Sequence, residues 1–352
     1  MLSRIAIASL AFGSAGLVAS SVQSQLVQAV ALLGSVVPQN GHCIVSQLTI
    51  CGCGGASVYS ISKIYRETNV IQMPRFRQAN IARLLFSAQS QNVSPMSLLS
   101  EILEYANDYL RVPEIDDWPN ALNGLQIENS GRVTKIGAAV DVSTRVLTAA
   151  AKKNVDLLIV HHGLFWPGLQ SVTGALRRQL SLAFEKDIAL YSAHLPLDLH
   201  PKVGNNTQLA AALGLKATKP FFEEKGNLIG VRSKISGSRD DLIRKLRKAV
   251  GGPVKAFNFG PKNPKNVGIV TGGAGGDIYR VAVESEPDWQ CIDTFITGEA
   301  PHWAAVAAEE LGINLLLGGH YATETFGVKA LAAHLSARFK LPWEFLNFPT
   351  GL

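Results

Sequence analysis

From residue 134 onward, short unbroken apolar runs alternate with longer amphipathic stretches, and a chain patterned this way has few ways to fold. The runs at 134–140, 155–160, 187–192, 267–271, 291–297 and 313–317 are strand-length and show no apolar–polar alternation. They predict strands covered on both faces. The intervening stretches at 143–153, 174–185, 206–213, 239–249, 300–311 and 322–338 predict helices. Such alternation predicts an α/β fold with mostly parallel sheets. Residues 215–265 break the rhythm with more charge, Gly and Pro, including Lys219-Pro220 and Gly251-Gly252-Pro253. A domain change or crossover is expected there, so the body reads as two α/β lobes, 96–215 and 216–352. No repeat of short fixed period is visible.

In open α/β sheets, ligands bind at the carboxyl ends of the strands. The unusual polar residues fall at those ends. Run 155–160 leads into His161-His162-Gly163, run 187–192 into His194 and Asp198, and run 313–317 into Gly318-Gly319-His320 with Glu324 four residues on. A lone strand-end histidine is more often a hydrogen-bonded structural residue than a ligand. Three strand ends that each supply ligand-type side chains are another matter. Imidazole and carboxylate without thiolate suit a catalytic site holding Zn, Fe, Ni or Mn. His161, His162, Asp198, His320 and Glu324 are more ligands than one catalytic ion takes. Two divalent ions about 3.5–4 Å apart, bridged by a carboxylate, would use all five. His320 and Glu324, four apart at a helix start, can face one point. His161 and His162 are expected in a turn, diverging toward different ions, with the site between the lobes.

Other candidates are more evenly balanced. Asp141 ends the first strand and can be a partner of the site, an acid/base group or, with Ser143, a cap for the next helix. His194 is expected to orient a ligand from behind. Glu299 can be a general base, an acceptor for substrate, or a carboxylate placed by a helix dipole. Gly272-Gly273-Ala274-Gly275-Gly276 fits neither a dinucleotide fingerprint nor a P-loop. His200, His302 and His334 read as structural or surface residues.

The first 95 residues do not match the rest. Residues 1–66 contain no acid, and 1–95 hold six basic residues against Glu67 alone. The chain's 33 basic and 27 acidic residues therefore leave 27 and 26 for 96–352, a net of +1. A neutral body lacks the field that draws phosphate backbones, which argues against nucleic-acid binding. Met1–Arg4 with the apolar run Ile5–Ala19 resembles a signal peptide, and the Ser-rich, acid-free stretch a transit peptide. The run is short for a membrane span. The reading preferred here is a start placed too far upstream, because Met96 opens the first well-formed amphipathic helix, through Leu110. Of the four cysteines, Cys43, Cys51 and Cys53 sit in this tail and Cys291 alone in the body. That usage fits a reducing compartment, and the expected location is the cytoplasm, or an organelle or the exterior if 1–95 is a targeting segment.

Together, His161-His162-Gly163-Leu164-Phe165-Trp166, His194-Leu195-Pro196-Leu197-Asp198-Leu199-His200-Pro201 and Gly204-Asn205-Asn206 resemble the Nif-three-like family. The resemblance continues through Asn123-Gly124-Leu125-Gln126, Thr297-Gly298-Glu299 and Gly319-His320-Tyr321-Ala322-Thr323-Glu324, and covers about 96–352. Family members carry the name GTP cyclohydrolase I type 2 homologue. The resemblance implies a dinuclear metal centre whose ligand positions match His161, His162, Asp198, His320 and Glu324. It also implies a toroidal homohexamer with the metal sites facing an inner cavity, here in the compact bacterial form. Three functions follow as expectations. The first is a metal-dependent hydrolase acting on a nucleotide or related small molecule. The others are a non-catalytic metal-binding ring and a di-iron redox protein, the last without a second cofactor motif in support.

Overall fold

The computed structural model describes residues 96–216, 218–282 and 291–352 in full, with the backbone of residue 283 and of two short hairpins before residue 96. In these, Val37–Gln39 pairs with His42–Ile44 and Leu48–Gly52 with Gly55–Tyr59. The chain divides into two compact units, 1–91 and 92–352. The expectations for a leader or an upstream start fall largely outside the described residues. No helix among the described residues is long and apolar enough to cross a membrane.

The second unit opens with β1 (Ser97–Leu98), α1 (Leu99–Leu110), β2 (Gly124–Ile127), β3 (Arg132–Val133), β4 (Ile136–Asp141), α2 (Thr144–Lys152) and β5 (Leu157–His162). It continues through α3 (Gly174–Glu185), β6 (Ala189–Ser192), α4 (Leu195–Asp198) and α5 (Asn205–Ala212). A second group follows: β7 (Lys219–Glu224), β8 (Asn227–Lys234), α6 (Arg239–Val250), β9 (Lys255–Asn258) and β10 (Asn266–Ile269). The last elements are α7 (Ile278–Val283), β11 (Thr294–Thr297), α8 (His302–Leu311), β12 (Asn314–Leu317), α9 (His320–Phe339) and β13 (Trp343–Phe345). The expected strands and helices thus appear within about three residues of their expected bounds.

Two sheets result, a five-stranded one in the order β13-β4-β5-β6-β2 and a six-stranded one in the order β7-β8-β10-β11-β12-β9. In the first, β13, β4, β5 and β6 run parallel and β2 closes the edge antiparallel. Each central strand is buried on both faces, as its apolar run requires. Along β4, Ile136, Ala138 and Val140 pack with α1 and α9, while Ala139 packs with α2 and α3. The second sheet is mixed, with β10, β11 and β12 parallel and β7, β8 and β9 antiparallel. Its faces are covered by α5 with α6 and by α7 with α8.

Two features differ from the sequence reading. Residues 215–265 form an antiparallel hairpin, β7–β8, then α6 and the edge strand β9. Exposed residues such as Lys219 and Glu223 on β7 hid a half-buried strand behind its charge. The second lobe also ends before 352. α9 starts at the end of β12 but buries Tyr321, Val328, Leu331, Ala332 and Leu335 in the first lobe's core, and β13 pairs with β4. Val328, Leu331 and Leu335 each contribute about 1.5–3 kcal/mol on leaving water, which holds the helix on that sheet. The second lobe is therefore an insertion between α5 and α9. Periodicity shows that a helix has an apolar face; it does not say which sheet receives it.

Candidate metal centre

The cluster is built where α9 springs from the second sheet and meets the carboxyl ends of β5 and β6. His161 and His162 are the last two residues of β5, not turn residues, with ring centroids 4.8 Å apart and tilted by 50°. Asp198 ends α4 and Glu324 lies one turn into α9, both buried. His320 is the first residue of α9, so its four-residue spacing from Glu324 does set both on one face. The three imidazoles converge on one carboxylate. Glu324 Oε1 lies 3.5 Å from His161 Nε2 and 3.2 Å from His320 Nε2, and Oε2 lies 3.4 Å from His162 Nε2. Asp198 Oδ2 lies 3.5 Å from His161 Nε2.

Each imidazole is held from behind through Nδ1. His161 Nδ1–H donates to the Ala193 carbonyl at 2.8 Å. His162 donates to Asp141 Oδ1 at 2.8 Å and His320 to Glu299 Oε1 at 2.8 Å. His194 donates to Asp117 at 2.9 Å, and its ring lies 4.9 Å from that of His161. A carbonyl can only accept, so His161 Nδ1 carries a proton and Nε2 is the atom turned into the cluster. Two of the balanced residues are thereby located. Asp141 reaches its imidazole because β4 and β5 pair in register, Asp141 beside His162. The helix cap is Ser143, whose hydroxyl accepts from Val146 N. Glu299 sits behind His320 with its side chain still partly exposed.

The electrostatics follow from these distances. His161 Nε2 and Glu324 Oε2 are buried and have no hydrogen-bond partner. Burial pulls the His161 pKa down, but the charges of Asp198 and Glu324 outweigh it and push the pKa up to about 10. His320 is likewise pulled down by burial and pushed up to about 9 by Glu324 and then Glu299. Burial raises Glu324, yet the neighbouring His161 and His162 hold it well below the usual carboxylate range. The field at this point is one that asks for positive charge. Two overlapping groups of side chains there can hold an ion, His161/His162/His194 and His162/His320/Glu324.

Supporting residues fix the carboxylates. Asn205 donates to Asp198 Oδ1 at 2.8 Å and accepts from Gly327 N at 2.6 Å, tying Asp198 to α9. Asn206 joins the lobes, donating to the Ile229 carbonyl and accepting from Thr271 N. Gly272, at φ +73°, passes so close to Glu324 that a Cβ there would lie 2.2 Å from Oε1. The loop it opens, Gly272–Gly276, therefore lies against the cluster. Asp117 was not singled out in the sequence, since 77 residues separate it from His194 and no local spacing marks it. His200 bonds the Tyr109 carbonyl, His334 stacks on Tyr109, and His302 opens α8 on the surface, all outside the cluster.

A family model described as Duf34/NIF3 (NGG1p interacting factor 3) matches residues 97–350. The chain belongs to the Duf34/NIF3 family. Among similar Duf34/NIF3 relatives is the GTP cyclohydrolase 1 type 2 homolog of Deinococcus radiodurans, 39% identical over 254 residues, 72% of this chain and 94% of the relative. The protein of the same name from Pyrococcus horikoshii is 37% identical over 255 residues, 72% of this chain and 98% of the relative. Among solved structures, TTHA1606 from Thermus thermophilus aligns with a TM-score of 0.66 at 40% identity, covering 73% of this chain and all of that one. Reduced HcgD from Methanocaldococcus jannaschii aligns with a TM-score of 0.63 at 28% identity, covering 72% and 99%.

Proposed function

We propose that this Duf34/NIF3 chain holds two divalent ions on His161, His162, Asp198, His320 and Glu324 and hydrolyses a nucleotide or related small molecule. One observation carries the reading: the Nε2 atoms of three imidazoles face carboxylate oxygens across 3.2–3.5 Å, a cluster that needs positive charge between its members, supplied by protons on the rings or, in their place, by metal ions. Bonds of about 2.0–2.2 Å at a tetrahedral angle separate neighbouring ligand atoms by about 3.3–3.6 Å, so the observed gaps fit the edges of a coordination shell. Glu324 presents one oxygen toward His161 and His320 and the other toward His162, as a bridging carboxylate would. The donor set of imidazole and carboxylate suits Zn, Fe, Mn or Ni.

When bound, such ions supply hydroxide at neutral pH by lowering the pKa of coordinated water. The chain's own residues do the rest. Ala193, Asp141 and Glu299 fix the imidazole tautomers and orientations. His194, held by Asp117, faces the same cavity and can hold or pass a proton at Nε2; Glu299 can do so from the other side. Trp166, with its ring 4.7 Å from that of His194, lines the same cavity. The name shared by the relatives from Deinococcus and Pyrococcus supports a hydrolytic reading here.

Elemental analysis of purified variants tests the centre. His161→Ala and His162→Ala are each expected to lose about one metal equivalent, and Glu324→Ala both. Equal losses in all three would reject the bridging role. A panel of nucleotides and phosphoesters with Mn, Zn, Fe and Ni tests the hydrolysis, and inactivity under every metal would favour a metal-binding ring without catalysis.

A further inference from the structure

Four imidazoles gather at the carboxyl ends of β5, β6 and β12, and the reading above uses three of them as ligands. His194 is the fourth, and its surroundings are those of a ligand. Each of the other three is held through Nδ1, by the Ala193 carbonyl, Asp141 or Glu299. His194 is held the same way by Asp117, at 2.9 Å, and Asp117 is itself fixed. It also accepts from Asn123 Nδ2 at 2.8 Å, Leu195 N at 2.9 Å and Trp118 N at 2.6 Å. Only 5% of the Asp117 side chain is exposed, and a carboxylate so buried needs donors of this kind to stay charged. A carboxylate accepts, so His194 Nδ1 carries a proton and Nε2 is the nitrogen left for another partner. Among the described residues it has none. The rings of His161 and Trp166, with centroids 4.9 and 4.7 Å away, hold the imidazole in this orientation.

Spacing along the chain points the same way. His320 and Glu324 lie four apart across the first turn of α9 and meet at 3.2 Å. His194 and Asp198 lie four apart across α4, whose turn is closed by a bond from Asp198 N to the His194 carbonyl at 3.0 Å. Residues four apart on a helical turn share a face, and both pairs follow directly on a parallel strand, β6 or β12. One ring nitrogen from each of His161, His162 and His194 lies within 4.8 Å of the other two. Each ion is thereby offered one His-to-carboxylate pair and one of the adjacent histidines. His194 and Asp198 go with His161, and His320 and Glu324 with His162. Leaving His194 out would give one ion two imidazoles and the other only one.

Building on the metal-centre reading, we propose that His194 is a sixth ligand, binding through Nε2 the ion held by His161 and Asp198, with Asp117 as its positioning residue. Proton transfer then falls to Glu299, whose side chain lines the cavity. His194→Asn separates this role from a structural one, because an amide nitrogen can still donate to Asp117 while Nε2 is gone. The full chain, stripped and titrated with Co(II) against a competing chelator, reads two binding steps and the visible spectrum at each. His194→Asn should weaken one step about 100-fold or more and change the Co(II) spectrum at that step alone. His194→Ala should do the same, and either variant suffices if thermal melting shows the other unfolded. Asp117→Asn, which leaves the imidazole in place, should weaken the same step about 10–100-fold. A His194→Asn chain that binds both ions as the wild type does, with an unchanged spectrum, overturns the proposal and leaves the two-ion centre standing. Equal weakening of both steps does likewise. A wild-type chain that takes up no Co(II), or a His161→Ala chain that still takes up two ions, overturns the metal-centre reading and this proposal with it.

Discussion

Gly272→Ala is the smallest change that should dismantle the centre. The added methyl would lie 2.2 Å from Glu324 Oε1 and 3.3 Å from its Cδ. Ordinary carbon–oxygen contacts sit at about 3.3–3.6 Å, so the carboxylate must retreat by about 1 Å or more. That retreat takes Oε1 away from both His161 and His320, now 3.5 and 3.2 Å distant. The left-handed φ of +73° adds about 1–2 kcal/mol of backbone cost for any L side chain. Loss of an outer partner alone typically weakens a metal site about 10–100-fold. Displacing the shared carboxylate should therefore cost about 100-fold or more in affinity, read by competition with a chelator of known strength. Melting of the metal-free variant should fall by about 2–8 °C, the backbone cost converted for a body of this size. Gly273→Ala is the control, because its φ is −95° and its Cβ would meet nothing closer than 3.6 Å. Wild-type metal affinity in Gly272→Ala, or equal damage from Gly273→Ala, would refute the steric reasoning.

Two further outcomes follow from the residues behind the imidazoles and from their charge. Asp141→Ala and Glu299→Ala should each weaken metal binding about 10–100-fold, while Glu299→Gln, which keeps an acceptor for His320 Nδ1–H, should stay near wild type; competition titrations decide it. In protein stripped of ions, the raised pKa values of His161 and His320, about 10 and 9, mean that the folded state binds more protons than the unfolded one above the ordinary value of 6.5. That stabilisation is complete below about pH 6.5 and is lost as pH rises toward about 10. Urea melts of the stripped chain should show this decline, whereas metal affinity should increase over the same range as protons leave the ligands; stability that rises with pH in stripped protein would contradict the geometry.

The central strands were legible because burial on both faces leaves no polar residue to confuse the pattern, as in Leu157–Val160. Their ends announced the site, because His161, Asp198 and His320 stand where a polar residue breaks an apolar run. What escaped was information held in pairing. Asp141 touches His162 through strand register, and Asp117 touches His194 across 77 residues. The β7–β8 hairpin escaped because a strand with one wet face resembles a charged linker. Phe222, a bulky residue on that hairpin with φ +64° at the cavity wall, has no sequence signature at all.

The insertion of the second lobe has a consequence for biosynthesis. His161, His162 and Asp198 leave the ribosome well before His320 and Glu324, and the whole of the second sheet is made in between. Domains tend to fold as they emerge, yet the first sheet lacks α9 and its β13 edge until the final stretch, 320–352, arrives. Under the proposed reading, a chain stopped anywhere short of residue 320 offers at most three of the five ligands and a truncated core. The His161/His162/His194 group is already made at that stage, whereas the His162/His320/Glu324 group, and with it the carboxylate shared by three imidazoles, exists only once the last helix has been synthesised.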